Sequence, residues 1–463
     1  MNSVAVLGAG VTGLAAAFRL KQAGIPVTVY ESGARAGGVI RSVQRDGFLA
    51  EHGPNSILET SPRISGLVAE LGLEDEKIYS EPAASKRYLV RNGALLEAPS
   101  SAPNFLASKL FSSAAKLRLL AEPFIRRAPG IYEESLAEFV VRRLGREFLD
   151  YAINPFVAGV YAGDPARLSV RHAFPKLHAL EQRYGSLLIG QVLGARERKA
   201  RREISKQQAP KFSFRNGLQT LTNALARRLE NSLKCGVRVQ RLERSGEGWH
   251  VALDQSCHSH RAVLVAAPAY RVAHLPVRTP AGLDLSPLGD VRYAPVATLV
   301  LGFRTQDVAH PLDGFGVLIP ECERFNILGA IFSSSLFPNR APAGHVTITC
   351  YLGGMRSPAL AQAETSTQLE LAMADLRKLL GVRGHPLFVE AARFRQGIPQ
   401  YEVGFGRIEN FIRAAEEQAD GLFLAGNYRG GISLGDSILN GEKAAERIAQ
   451  YLSQPAPARK GHE

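Results

Sequence analysis

The chain has 463 residues, 45% of them hydrophobic and 21% charged, a length for two or three structural units and a balance that excludes a disordered or fibrous protein. Its 56 Lys and Arg outweigh 43 Asp and Glu for a formal net charge of +13, and because no run of 18 uncharged apolar residues occurs, no transmembrane helix is expected. The four cysteines, Cys235, Cys257, Cys322 and Cys350, are far apart with no CxxC pair, which predicts no metal site and a reduced, cytosolic compartment.

In chain order, Val4-Ala5-Val6-Leu7 reads as a strand buried on both faces. A strand beginning so near Met1 leaves no room for a leader, so export is not expected. Gly8-Ala9-Gly10-Val11-Thr12-Gly13 follows, then an amphipathic helix to about Gly24, then the strand Val27-Thr28-Val29-Tyr30 ending at Glu31. This order of strand, glycine loop, helix, strand and acid is that of a dinucleotide-binding unit. Gly8 allows the tight turn, Gly10 lets a pyrophosphate approach the backbone, and Gly13 permits close packing of helix on strand. The helix N-terminus, at Val11 and Thr12, offers free N–H groups to phosphate. Glu31 suits a ribose hydroxyl and would repel a 2′-phosphate, which disfavours NADP. Ser32-Gly33-Ala34-Arg35-Ala36-Gly37-Gly38-Val39-Ile40-Arg41 then predicts a second phosphate cradle, with backbone N–H groups from Gly37 and Gly38 and charge from Arg35 or Arg41. An acid, an Arg and a glycine pair in this order favour FAD over NAD.

Gly53-Pro54-Asn55-Ser56 is placed against the ring system of that cofactor, or is simply a turn. Residues 61–73 read as a helix, and Lys86-Arg87-Tyr88-Leu89-Val90-Arg91 before Asn92-Gly93 as a hairpin in which Arg87 alone would be a solvated charge. From 103 to 150, helices carry apolar residues such as Leu106, Leu117, Leu120 and Phe124 among Lys109, Lys116, Arg118, Arg126 and Arg127. Two readings stand: insertion into a membrane surface, or a helical subdomain with its own core. Phe156-Val157-Ala158-Gly159 continues to Gly163-Asp164-Pro165, where small residues suggest close approach to a ligand or another backbone. The basic stretch Arg196 to Lys206, without interleaved aromatics, reads as a solvated loop and not a nucleic-acid surface. Strands are expected at 236–242, 249–253 and 262–266, a β-rich layer over 291–352, and a helix at about 364–380. Leu422-Phe423-Leu424-Ala425-Gly426-Asn427 is a buried strand. The segment through Ile432, Ser433 and Leu434 opens a helix whose N-terminus is expected to face the ring end of a flavin.

Gly8-Ala9-Gly10 with Glu31, Arg35, Gly37-Gly38 and the Leu424-Ala425-Gly426-Asn427 block resembles the FAD-dependent amine oxidase and desaturase superfamily. Within it, Phe156-Val157-Ala158-Gly159, Phe174-Pro175-Lys176-Leu177, Phe212-Ser213-Phe214-Arg215, Phe332-Ser333-Ser334 and Phe337-Pro338-Asn339-Arg340 resemble the oxygen-dependent protoporphyrinogen oxidases, most of all the plant-type members. The resemblance implies a mixed α/β and α+β chain in three parts. A discontinuous Rossmann-like FAD domain covers 1–79, 209–266 and 400–453. A β-sheet substrate domain covers 80–98, 171–208 and 267–399. A helical membrane-association domain covers 99–170, and 454–463 is a disordered tail. It implies oxidation of a porphyrinogen to a porphyrin with FAD and O₂, with coproporphyrinogen as the alternative substrate. An amine oxidase, a carotenoid desaturase and a non-enzymatic flavoprotein are the competing readings. Arg87 is implied to pair with a propionate, Phe332 to pack on the macrocycle, Gly159 and Asn55 to face substrate, and Val239 to meet the adenine through its backbone. A peripheral site on the inner face of the cell membrane, a homodimer and no nucleic acid complete the expectation.

Overall fold

The structure is a computed structural model and describes residues 3–128, 132–201, 209–246 and 248–454, without the side chains of 195–201. Five parallel strands form the first sheet, in the order Leu233–Cys235, Val27–Glu31, Val4–Leu7, Ala262–Val265 and Leu422–Leu424. Val4–Leu7 and Ala262–Val265 are buried at every position, which their charge-free sequences allow. Helices Val11–Gln22, Gln219–Leu229 and Leu434–Ser453 cover one face around Leu14, Phe18, Leu225 and Ile448. The first and last of these approach closely because Gly441 carries no side chain: a Cβ there would strike the carbonyl of Thr12. The other face meets Trp249, Tyr293, Tyr401 and Tyr428 and an outlying four-stranded sheet.

The second large sheet has seven strands, in the order Phe388–Pro399, Tyr293–Arg304, His345–Gly353, Ile327–Ile331, Gly314–Leu318, Lys86–Arg91 and Ala94–Glu97. All neighbours are antiparallel except Gly314–Leu318 with Lys86–Arg91. Helix Thr365–Leu380 packs one face through Ala372, Met373, Leu376 and Leu380. The other face turns toward a helical layer built from Ala102–Ala107 to Leu187–Arg201.

Arg143 pins that layer. Fully buried, it meets Glu122 at 3.0 Å and Glu181 at 2.5 Å, while Ser186 Oγ donates to Glu122 at 2.5 Å. Two carboxylates and a guanidinium compensate one another where a lone charge would be untenable. Because Glu181, Ser186 and Leu187 share this core, the segment 171–201 packs with the helical layer and not with the β-sheet domain expected for 171–208.

Two further expectations are corrected. The alternating stretch at 236–242 is not one strand: Leu233–Cys235 ends as Gly236 and Val237 donate to Gly33 and Glu31 carbonyls, and Arg241–Ser245 starts in the other sheet. The basic stretch is helical through Arg201, since Leu187–Arg201 continues without interruption; 202–208 lie outside the described residues, as does the tail from 455, while Gln454 caps the last helix. Among the described residues no helix is long and apolar enough to cross a membrane.

Candidate functional site

The site grows from the turn after Val4–Leu7. Gly8 adopts φ 104°, and a Cβ on it would lie 2.9 Å from the carbonyl of Ala266. A Cβ on Gly13 would collide with the Gly8 carbonyl, so this glycine sets the distance of helix from strand. Gly10 differs: it is the helix N-cap, and nothing lies within 4 Å of where its side chain would be. No side chain caps the helix that begins at Val11 and Thr12, both themselves buried. The helix end therefore keeps its N–H groups and its partial positive charge for a ligand.

The second cradle folds over the first. Gly37 N–H donates to the Ala9 carbonyl at 2.8 Å, and a Cβ on Gly38 would come within 3.3 Å of Gly10 Cα. Glu31 takes N–H groups from Ala9 at 2.8 Å and from Gly33 at 2.6 Å, holding the turn in shape, and Ser32 Oγ lies 3.5 Å from the same carboxylate. Arg35 departs from the expected role of phosphate charge. Its guanidinium donates to the carbonyls of Ala36, Gly38 and Ile40, so it shapes the loop. Arg41 remains exposed, and its carbonyl accepts from His52. Val239 is half-buried, and among the described residues its main-chain N–H finds no protein acceptor.

Gly53 approaches Val39 so closely that a Cβ would fall 2.6 Å from the Val39 carbonyl, which lays Pro54, Asn55 and Ser56 beside the second cradle. Asn55 is buried. Its Nδ2 donates to Ser333 Oγ at 3.5 Å, Ser333 Oγ and Thr349 Oγ1 lie 2.7 Å apart, and Asn55 Oδ1 has no partner. An unpaired buried amide oxygen is costly unless a ligand supplies the donor. Just before this loop, Glu51 accepts from Ser42 Oγ and from Leu218 N–H and sits 3.4 Å from Arg340. Burial pushes its carboxyl up to about 7, against the opposing pull of Arg340 and the two donors. Ser333, Thr349 and Glu51 escaped the sequence reading; only the block around Phe332 hinted at the first.

The carboxy-terminal segment borders the same site. Asn427 gives its carbonyl to Tyr401 Oη at 2.8 Å and its Oδ1 lies 3.5 Å from Tyr293 Oη. Gly426 has φ 154°. Ile432 packs between two cores, and Leu434 against the first helix's core. Ser433 differs from expectation: its Oγ accepts from Asp436 N–H while the Asp436 carboxylate accepts from Ser433, a capping box. This helix end is thus already occupied by an acid and is a weaker source of positive potential than a bare one. Its first turn still borders the Asn55 loop, because a Cβ on Gly435 would lie 3.2 Å from the Leu58 carbonyl.

Arg87 and Gly159 share one side of the seven-stranded sheet. Leu89, two residues from Arg87, faces the helical layer, and Gly159 sits over Leu318, the residue paired with Leu89. Arg87 is exposed. Its neighbours are held elsewhere: Asp313 takes Lys86 and Tyr88, which together hold its carboxyl down at about 2. Phe332 does not join Arg87. It is fully buried on the opposite side with Tyr88 and His310, so it has no open ring face for a macrocycle.

Comparison with known proteins gives a consistent set of likenesses. The flavin containing amine oxidoreductase family matches residues 11–449. The Arabidopsis thaliana protein named protoporphyrinogen oxidase 2, chloroplastic/mitochondrial is 35% identical over 97% of this chain and 94% of its own. The coproporphyrinogen III oxidase of Bacillus subtilis (strain 168) is 28% identical over 97% and 98%. A crystal structure of an Exiguobacterium sp. 255-15 protein, 24% identical, covers 98% of this chain and 99% of its own with a TM-score of 0.83, which speaks for the fold.

Proposed function

This chain belongs to the flavin containing amine oxidoreductase family, and on that premise we propose that it is an FAD enzyme that oxidises protoporphyrinogen IX to protoporphyrin IX in porphyrin biosynthesis. Near-full-length identity to a protoporphyrinogen oxidase carries the substrate. The residues fit the cofactor: the empty space before Gly10 and the uncapped helix suit a pyrophosphate, and Glu31 retains lone pairs for ribose hydroxyls. Bound FAD would supply the redox chemistry, accepting a hydride in each of three two-electron steps while the macrocycle gives up a proton to solvent, and O₂ would take two electrons and two protons per step to leave as H₂O₂.

The protein's own part is placement. Asn55 Oδ1 is a fixed acceptor for an N–H of the bound partners, set by Ser333 and Thr349. Arg87, on the sheet face that also meets Gly159, takes a propionate. The helical layer is the membrane contact: Leu106, Leu117, Leu120 and Phe124 are all more than half exposed, beside Lys109 and Arg126.

The deciding experiment offers protoporphyrinogen IX and coproporphyrinogen III separately to the yellow, FAD-loaded protein and follows porphyrin fluorescence with O₂ uptake. Faster turnover of protoporphyrinogen is expected. Preference for coproporphyrinogen would move the enzyme to the activity of its Bacillus relative, and rates no greater than spontaneous oxidation would end the reading.

A further inference from the structure

Strand Lys211–Phe214 brings a cation beside the Asn55 loop that neither the glycine loops nor the hairpin announces. Lys211 pairs with Leu58, and Phe212 with Ile57, so the strand is anchored just beyond Asn55. On its other side the Lys211 carbonyl accepts from Ser80 N–H at 2.9 Å. The side chain reaches away from both: Nζ lies 5.9 Å from the ring centre of Phe315. Phe315 is flanked by Gly314 and Gly316, the partners of Lys86 and Arg87, and its carbonyl accepts from Phe332 N–H at 3.0 Å, next to Ser333. Lys211 therefore stands between the Asn55–Ser333 pair and Arg87.

Among the described residues its charge has no counter-ion. Nearby cations are matched, Lys77 with Glu59, Lys86 with Asp313 and Arg340 with Glu51. Among the described residues no carboxylate pairs with Lys211 or Arg87. Lys211 is half-buried, and burial together with the Arg87 charge holds its ammonium below the ordinary lysine range. A half-buried ammonium beside the exposed Arg87 guanidinium, with no described acid between them, is relieved by an anionic ligand.

We propose that Lys211 is a second carboxylate-binding residue of the substrate site, taking one propionate of the porphyrinogen while Arg87 takes the other. The inference rests on the porphyrinogen reading. Protoporphyrinogen IX carries its two propionates on neighbouring pyrroles, and coproporphyrinogen III carries that same pair plus two more. The two cations then position the shared pair and leave discrimination between the substrates to the opposite edge of the ring.

The test compares FAD-loaded wild type, Lys211→Met, Lys211→Arg and Arg87→Met on protoporphyrinogen IX and on its dimethyl ester, which has the same ring and no carboxylates. With the diacid, Lys211→Met should raise KM about 10-fold, close to 1.4 kcal/mol, and leave kcat within about 2-fold, since the contact is made alike in ground and transition states. Lys211→Arg should regain most of the loss. With the diester, wild type and Lys211→Met should share one KM. A diacid KM unchanged by Lys211→Met, at wild-type flavin content and melting temperature, would remove Lys211 from the site. An equal rise for diacid and diester would assign the effect to packing and overturn the proposal as well. If wild type oxidises neither compound, the porphyrinogen reading falls and takes this inference with it. Should Lys211→Met not fold, Lys211→Gln gives the same comparison.

Discussion

Asn55 Nδ2 donates to Ser333 Oγ across 3.5 Å, and this contact orients an amide whose oxygen is buried and unpaired. Ser333 is itself fixed by Thr349 at 2.7 Å, so the arrangement runs from the sheet to the loop. The oxygen waits for a donor from a bound partner, and removing it costs that hydrogen bond. Asn55→Ala should lower kcat/KM roughly 10- to 100-fold, equivalent to ~1–3 kcal/mol. Ser333→Ala, which only loosens the amide, should cost about 3-fold. Steady-state rates at matched flavin content check both, and a wild-type kcat/KM for Asn55→Ala would show that the amide serves the loop alone.

The glycines of the first turn should separate folding from cofactor binding. Gly10 has φ −68°, which any residue adopts, and open space ahead of it. Gly10→Val should fold with a near-normal melting temperature yet purify colourless, because its side chain fills the pyrophosphate position. Gly13→Ala drives a methyl into the Gly8 carbonyl and should lose ~1–3 kcal/mol of stability. Visible flavin absorbance and thermal unfolding measured on each variant make the distinction. A yellow Gly10→Val protein would move the pyrophosphate elsewhere.

His260 gives the stability of the nucleotide-binding half a pH dependence. Its strand pairs with the one bearing Trp249, and its ring nitrogens meet Tyr30 Oη at 3.1 Å and Ser3 Oγ at 3.2 Å. Burial, with the nearby His258, holds the imidazole down at about 4. A base whose folded pKa is depressed stays neutral in the native state and takes up its proton on unfolding. Stability is then full above the ordinary histidine pKa of about 6.5 and falls as pH drops toward 4. Denaturant unfolding should show a loss on the order of 2 kcal/mol between pH 7 and pH 5, and His260→Gln should flatten that slope. Parallel slopes in the two proteins would acquit the residue.

The helical layer's exposed apolar side chains predict binding to lipid. Phe124 is 88% exposed and Leu120 63%. Lys116 and Arg118 are turned inward on the carbonyls of Leu106, Ser108, Arg142 and Arg143, so insertion of apolar side chains should outweigh headgroup attraction. Leu120→Glu with Phe124→Glu should reduce sedimentation with anionic phosphatidylglycerol vesicles about 10-fold and leave turnover of detergent-dispersed substrate unchanged. Equal partition of variant and wild type would make this surface a protein contact instead.

What could be read in the sequence was local. The roles of Gly8, Gly10 and Gly13 follow from a short-range pattern, because a turn between strand and helix is settled by a few dihedral angles. The misreadings needed distant partners. Phe332 looks like a binding aromatic in its block, but the sheet's alternation places it with Tyr88 and Val90 on the side opposite Leu89. Helix Pro175–Tyr184 carries Glu181, whose partner Arg143 lies 38 residues away, and only that pairing reveals which layer the helix joins. Ser433 reads as an open helix start because only the fold shows Asp436 closing a capping box on it. Lys211 was overlooked beside Phe212, since a lone lysine at a strand edge is ordinary until its lack of an acid is known.

The order of strands in the parallel sheet has a consequence for biosynthesis. Its members come from residues 4–7, 27–31, 233–235, 262–265 and 422–424, and the helix that packs on Thr12 follows the last of them. During translation the glycine turn emerges first of these elements and waits through the intervening chain for the strand and helix that finish its pocket. A nascent chain stalled before residue 422 should hold no flavin, and vitamin supply should act on the yield of folded protein only once that strand and the helix after it have emerged.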